Sequence, residues 1–281
     1  MKTTACILIG LLIAGSAAAS YRIDWYSINS GGGLVAGGSY KLNGSIGQSA
    51  AGFVQSTSFL HWIGFWAGDV PTPTVASSVG AATQLPDGTY VSIAGKIATS
   101  GASDFSEYFY IEELDRHSGI RVSVPAGPLA GLARGSAVNV IGTLGATPAG
   151  ERELTGPVVV IVGSHAALAP LGMSNLQVGG TDFGSPPSGQ WGVTGGFGLN
   201  NVGLLVQTWG RVVEHGPGLP PEWFVVDDGS ARPVTVSAQG LASVPAAGSY
   251  VSVIGLSSLY KPGADRLRLV LPRDQTDIRP R

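Results

Sequence analysis

The sequence has little cysteine and little charge. Its one cysteine, Cys6, stands near the amino terminus of 281 residues, so the rest of the chain can form no disulfide, thiolate nucleophile or cysteine-ligated metal site. Charged residues make up only 12% of the chain and apolar residues 44%, a balance too apolar for intrinsic disorder. These scarcities leave a folded chain that must be stabilised by a core large enough to need no covalent crosslinks.

Long apolar runs are also missing. No stretch after residue 19 has the ~20 apolar residues of a membrane-spanning helix. Residues 1–19 have the three regions of a secretory signal peptide: Lys2, an apolar run at residues 5–14, and an A-x-A cleavage site at residues 17–19. We therefore expect export. Because the exported part has no disulfide, we expect a bacterial envelope or extracellular location.

Helical periodicity is the third absence, and it favours an all-β chain. The 43 glycines and 18 prolines interrupt short β-branched runs along its length. Composition shifts divide the chain after the signal peptide into five parts. They are a Gly-rich β segment at 20–69, a Pro/Thr/Ser linker at 70–78, a large unit at 79–163, a Gly/Ser/Pro connector at 164–201, and a second large unit at 202–281.

The Gly-rich β segment contains three predicted strands, at residues 21–28, 38–48 and 58–66, with a break at residues 30–33 (SGGG). Its GGSY-x-L, IGQ and GFW motifs resemble a short segment found in exported proteins of environmental bacteria, although His61 stands where that pattern has leucine. The resemblance supports export and implies no chemistry. Three short strands cannot bury a core alone, so this segment must cover the next domain, another copy of the protein or a surface. Self-association through it is therefore one open possibility.

The two large units repeat each other. Residues 108–113 (YFYIEE) align with residues 223–228 (WFVVDD) at an offset of 115. Three more blocks align in the same order: 95–97 (GKI) with 210–212 (GRV), 120–123 (IRVS) with 234–237 (VTVS), and 135–142 (GSAVNVIG) with 248–255 (GSYVSVIG). Four blocks in one order at nearly one offset indicate a duplication.

The order of blocks within each unit indicates a fold. A strand with a central glycine precedes a hairpin across an acidic turn, and a longer gap precedes a Gly-x-x-Val-x-Val-x-Gly strand and a last strand. This order resembles the five-stranded oligonucleotide/oligosaccharide-binding barrel, the OB-fold. The resemblance implies two tandem five-stranded OB-like barrels preceded by a small Gly-rich β segment. It does not name a ligand, because such barrels host many.

The sequence contains no motif that predicts a catalytic or metal-binding site. The four histidines are scattered, so no zinc site is expected, and no motif predicts a cofactor. Residues 258–261 (SLYK) match S-x-x-K without its companion motifs. The repeated acids at 112–113 and 227–228 are interpreted as turn residues, since they occupy the hairpin position. A hydrolase is therefore the least favoured alternative.

One face of the repeated hairpin is the candidate binding site. In an alternating strand Phe109 and Ile111 point inward while Tyr108 and Tyr110 point outward. We expect Lys96, Tyr108, Tyr110 and Arg121 to share the outer face of the first barrel, with Arg211 and Trp223 at matching places in the second. Aromatic rings beside cations suit stacking on sugars or bases. Alternatively, this face covers a neighbouring domain.

Charge decides between the possible partners. Without Lys2 the chain has 15 basic and 18 acidic residues, a net charge of −3, which disfavours contact with a phosphate backbone. The sequence therefore predicts a secreted, non-enzymatic binding or assembly protein whose partner is an oligosaccharide or another extracellular polymer. A protein that binds single-stranded DNA or RNA is the alternative.

Overall fold

The computed structural model describes residues 31–37, 40–47, 52–55, 60–63, 72–125, 127, 129–218 and 221–281. The predicted signal peptide lies outside these residues. The chain divides into two compact units, Met1–Gly52 with Trp62–Val70, and Phe53–His61 with Pro71–Arg281. Among the helices of the described ranges, none is both long and apolar enough to cross a membrane.

The Gly-rich β segment contains four strands in its described residues. Strand β1 (Gly31–Gly37) pairs antiparallel with β2 (Tyr40–Ile46), and β3 (Gly52–Gln55) forms a second two-stranded sheet with β4 (Leu60–Ile63). The break predicted at residues 30–33 is wrong, because Gly31 begins β1 opposite Ile46. Main-chain pairing with β2 here outweighs the low strand propensity of glycine. The strand predicted at residues 21–28 lies outside the described residues.

The next strands form a closed barrel. They are β5 (Thr74–Ala76), β6 (Tyr90–Ala98), β7 (Tyr108–Glu112), β8 (Gly119–Ser123), β9 (Ser136–Ala146) and β10 (Arg152–Ser164). Their order is β5-β6-β7-β8-β10-β9, and β6 also pairs with β9, which closes a barrel of five strands. Within it β8 and β10 run parallel. Phe109, Ile111, Ile120 and Val122 point into its core, as the alternating pattern predicts.

A second barrel-like sheet follows. After β11 (Leu171–Gly172), the hairpin of β12 (Phe183–Ser185) and β13 (Ser188–Gln190) precedes the main strands, which are β14 (Leu205–His215), β15 (Trp223–Asp227), β16 (Val234–Ser237), β17 (Tyr250–Tyr260), β18 (Leu267–Leu271) and β19 (Ile278–Pro280). The order is β11-β14-β15-β16-β18-β17-β19, and β14 also pairs with β17. Strands β16 and β18 run parallel, so the arrangement matches that of the first barrel. The predicted all-β fold class is confirmed.

A short helical element precedes each barrel, and an acidic side chain holds its first N–H. Helix α1 (Val79–Thr83) follows β5, and a 3-10 helix (Asn175–Gln177) follows β11; a second 3-10 helix (Gln275–Asp277) precedes β19. Glu113 accepts the first N–H of α1 at 2.6 Å, and Asp228 accepts that of the first 3-10 helix at 2.8 Å. These N–H groups have no partner within their own helix. The repeated acids therefore tie each hairpin to the helix before it.

Polar and apolar contacts join the two barrels. Tyr110 of the first packs in one buried cluster with Leu205, Ile254, Leu256 and Leu271 of the second. The Glu112 carboxylate accepts the Leu205 N–H at 2.5 Å, and Arg116 donates to the Leu205 carbonyl at 2.9 Å. Arg134 bridges Asp104 and Asp274, with N–O distances of 2.8 and 2.6 Å. These contacts hold the barrels together as one body.

The barrels are in close backbone contact at two glycines, Gly119 and Gly203, which predicts a stability effect. A Cβ on Gly119 would lie 2.3 Å from the Gly203 carbonyl oxygen, so Gly119→Ala must push the barrels apart. We expect a loss of about 1–3 kcal/mol in the free energy of unfolding, measured by denaturant titration. Gly145→Ala is the control, because its Cβ would meet only a Thr155 methyl at 3.9 Å. Equal stabilities of the two variants would contradict this contact.

The pKa of the buried Glu112 carboxyl predicts how the free energy of unfolding depends on pH. Burial raises the pKa of its carboxyl from 4.5 to about 7, although Arg116 opposes the change. Between these values the folded chain binds more protons than the unfolded chain, so the free energy of unfolding falls as pH rises and then levels off. The two pKa values correspond to a loss of roughly 3 kcal/mol.

Glu112→Gln should remove this part of the pH dependence. We would compare urea titrations at about pH 5 and about pH 8 for the wild type and the variant. Glu214→Gln, at an exposed position of β14, controls for the loss of one negative charge. A slope in Glu112→Gln equal to that of the wild type would contradict the prediction.

Candidate functional site

A cavity of about 820 Å³ lies between the two barrels. We call it the inter-barrel groove and define it by Tyr108, Arg121 and Glu151 of the first barrel and Trp223, Tyr260 and Lys261 of the second. Its walls come from the second and third strands of each barrel, from the connection between β9 and β10, and from the end of β17, Lys261 and β18. Its volume lies within the range of about 300–1,000 Å³ that is typical of small-ligand sites.

The first wall is an aromatic platform with a cation above it. The guanidinium carbon of Arg121 lies 3.6 Å from the centre of the Tyr108 ring, and Phe105 stacks with Tyr108 at 4.7 Å between ring centres. Pairing of β7 with β8 sets this geometry, because it places Tyr110 opposite Arg121 and Tyr108 one step along the same face. Arg121 makes no hydrogen bond to any described residue, although Nε lies 3.5 Å from a Glu153 carboxylate oxygen. Nε is buried, so the terminal N–H groups of the guanidinium are the donors that can serve a ligand.

The floor of the groove is a buried carboxylate shared by both barrels. Glu151 is only 2% exposed, and its two oxygens accept the Tyr110 hydroxyl at 2.8 Å and the Ser258 hydroxyl at 2.7 Å. Burial raises the pKa of Glu151. Burial also raises the pKa of Tyr110 well above its ordinary range, which keeps the phenol a neutral donor. The floor is thus fully hydrogen-bonded and fixed in position.

The second wall offers two aromatic side chains and one cation. Trp223 begins β15 and is partly exposed, and its ring covers Gly216 so closely that a Cβ there would lie 2.5 Å from it. Tyr260 ends β17 with 43% of its surface exposed, and Lys261 follows it in the loop before β18. Ser237 lies opposite Trp223 on β16 and adds a hydroxyl to this wall.

The charged side chains of the groove balance. Arg121 and Lys261 carry positive charge, while Glu151 and Glu222 are acidic. The groove therefore lacks the excess of cations that a phosphate backbone requires. Among the described residues, no group of three or more His, Cys, Asp or Glu side chains is arranged to hold a metal ion.

The structure brings three of the six sequence-predicted site residues into the groove: Tyr108, Arg121 and Trp223. Tyr110 does leave the core of its own barrel, but the second barrel covers it, so it is buried rather than on an open face. Lys96 is 8% exposed and donates to Glu113 at 2.8 Å, away from the groove. Arg211 is exposed on β14 and does not line the groove.

The sequence-based prediction of the site missed most of the groove, including Glu151, Ser258, Tyr260 and Lys261. Each lies at or near the connection between the fourth and fifth strands of its barrel. OB-folds use this connection in ligand binding, so the fold resemblance contained the signal that could have found them. Their convergence on one groove depends on how two barrels pack, and no local pattern encodes that packing.

Comparisons with known proteins assign neither a family nor a function to this chain. No family model and no curated protein matches the chain. Among solved structures, a murine DNA-binding protein bound to double-stranded DNA is similar over 66% of this chain and 95% of that chain, with 11% identity and a TM-score of 0.29. A similarity at that TM-score supports no conclusion about function. Any functional conclusion must therefore come from the geometry of the groove.

Proposed function

We propose that this chain is an exported, non-enzymatic binding protein that captures a segment of an oligosaccharide in the inter-barrel groove. The observation that carries the proposal is the groove itself, in which equivalent aromatic positions of the two barrels, Tyr108 and Trp223, line one cavity. We further propose that the barrels are duplicated OB-folds. The shared strand order and the four repeated sequence blocks support this origin.

The chemistry of the groove suits a sugar. A pyranose has apolar C–H faces that pack on aromatic rings and an equatorial rim of hydroxyls that need both donors and acceptors. Tyr108, Trp223 and Tyr260 supply the rings. Arg121 and Lys261 supply donors, and Glu222 supplies an acceptor on an exposed side chain. Binding by stacking and short-range hydrogen bonds requires no net charge.

A single-stranded nucleic acid is the second candidate, because Arg121 over Tyr108 is also a platform for a base. Balanced charge in the groove counts against it. Phosphate contacts would also make affinity fall steeply with salt, since each neutralised phosphate of a single strand contributes about −0.7 to the logarithmic slope. The salt dependence of binding therefore separates the two candidates.

The absence of enzymatic activity is part of the proposal. Ser258, the serine of the S-x-x-K match, donates its hydroxyl to Glu151 and so has a structural partner. Its hydroxyl is 2.7 Å from a carboxylate that Tyr110 also contacts, and this arrangement fixes the floor of the groove. The groove is thus better suited to hold a ligand than to attack one.

A glycan array and an oligonucleotide array, both probed with the purified chain, test the proposal. We expect retention on a set of glycans and no retention on oligonucleotides. Titrations of the best glycan at low and high salt should give nearly equal dissociation constants. Oligonucleotide retention with a steep salt slope would replace the proposal with the second candidate. Retention on neither array would remove the groove as a polymer-binding site.

A further inference from the structure

The last part of β10 is held on one edge only. Near its start β10 lies between β9 and β8, with Glu153 opposite Arg121 and Leu154 opposite Val122. Strand β8 ends at Ser123, whereas β10 continues along β9 to Ser164. Within the part of the chain that the structure describes, no strand pairs with the other edge of residues 158–164. We call these seven residues, VVVIVGS, the free edge.

The free edge is apolar and exposed. Val158, Val160, Ile161 and Val162 are 45%, 41%, 37% and 52% exposed, so side chains on both faces of the strand meet solvent. No charged residue stands between Glu153 and His165. Proteins normally protect an open edge with lysine, proline or a bulge along it. Here Pro157 and the irregular pairing after Thr155 precede the free edge, and a second irregularity lies between Ile161 and Gly163, so residues 158–161 are the stretch without such protection.

We propose that the free edge pairs antiparallel with the same edge of a second copy of this chain, giving a dimer with two-fold symmetry. The free edge is self-complementary. An antiparallel pair centred on Val160 sets each Val159 opposite the partner copy's Ile161, and no like charges meet. Pairing gives the open N–H and C=O groups hydrogen-bond partners and buries the exposed valines. A charged or bulky partner strand would bury less apolar surface and so stabilise the pair less.

The dimer leaves the inter-barrel groove free. Glu151 and Arg152 stand at the groove end of β10, and Val160 is eight residues further along the strand, a separation of about 26 Å in extended chain. The free edge therefore lies well away from the groove, and this inference does not rest on the proposed function. Two copies joined in this way would present two grooves to one polymer.

Sedimentation analysis of the full chain at tens of micromolar tests the dimer. We expect the wild type to sediment at twice the monomer mass and Val160→Lys to sediment as a monomer, because the charge would face its own symmetry mate. Val213→Lys is the control for adding a lysine at an exposed valine: Val213 is 49% exposed but lies on β14 of the second barrel, outside the free edge, so this variant should remain a dimer. Circular dichroism establishes that all three chains are folded.

Disulfide trapping tests the register. Val160→Cys in a Cys6→Ser background should crosslink nearly completely under mild oxidation, because directly opposed residues bring their Cα atoms within about 4.5–5.5 Å. Val213→Cys should not crosslink. A monomeric wild type would overturn the proposal. So would a dimer that survives Val160→Lys, since association would then use another surface, such as the Gly-rich β segment.

Discussion

Phe224→Ala is expected to lower the free energy of unfolding by about 3–5 kcal/mol, the cost of deleting a large buried aromatic side chain. Phe224 has no exposed surface and packs with Val226 and Val236 in the core of the second barrel. Its neighbour Trp223 points the other way, into the inter-barrel groove, and is partly exposed. Trp223→Ala should therefore cost clearly less. Urea titrations followed by circular dichroism measure both variants.

Phe109→Ala is the matched variant in the first barrel. Phe109 is 1% exposed and occupies the position equivalent to Phe224, so the two losses should be similar. Equal losses for Phe224→Ala and Trp223→Ala would mean that inward and outward positions of β15 are exchanged. That outcome corresponds to a register error of one residue.

The second large effect concerns ligand capture. Trp223→Ala combined with Arg121→Ala should weaken glycan binding at least ~100-fold, since each stacked or charged contact contributes on the order of 1–3 kcal/mol. Both side chains line the groove from opposite barrels. Isothermal titration with the glycan retained on the array measures the loss, and thermal melting should show only a small change in Tm.

The chain supplies a matched control for this double variant. Trp209 and Arg211 are a second tryptophan–arginine pair, exposed on β14 and outside the groove. Trp209→Ala with Arg211→Ala removes the same side-chain types and should leave affinity unchanged. If both double variants bind with wild-type affinity, Trp223 and Arg121 do not belong to the site. If both lose binding, the effect is not specific to the groove.

Local patterns predicted the strands well because strand periodicity is a local property. Alternation placed Phe109 and Ile111 in the core, and the repeated blocks predicted hairpins that the structure contains. Alternation also placed Tyr110 outside its own barrel. It could not show that the second barrel buries Tyr110, because that contact joins residues almost a hundred positions or more apart in the sequence.

The low-complexity stretches were harder to predict. Residues 70–78 were interpreted as a linker, yet Thr74–Ala76 form β5, and Ser78 caps α1 by accepting the Ala81 N–H. Residues 164–201 are predicted to be a connector with room for a strand or two; they contain β11, β12 and β13, and Val178 also lies in the core of the second barrel. Glycine is the commonest residue in the second stretch and hides any periodicity. Several of the glycines are required by close backbone contacts, as at Gly180, where a Cβ would lie 2.0 Å from the Leu199 carbonyl oxygen.

The groove has one wall on each barrel, so a bound ligand contacts both barrels and stabilises their association. A ligand that binds only when both walls are in place stabilises the closed arrangement by RT ln(1 + [L]/Kd), about 2.7 kcal/mol at a hundredfold excess over Kd. The coupling is reciprocal, so a change that destabilises the contact between the barrels also lowers the affinity for the ligand. Gly119, Glu112 and Arg134, none of which lines the groove, would then act as distant regulators of affinity. Any force that separates the two barrels would therefore lower the affinity for the ligand.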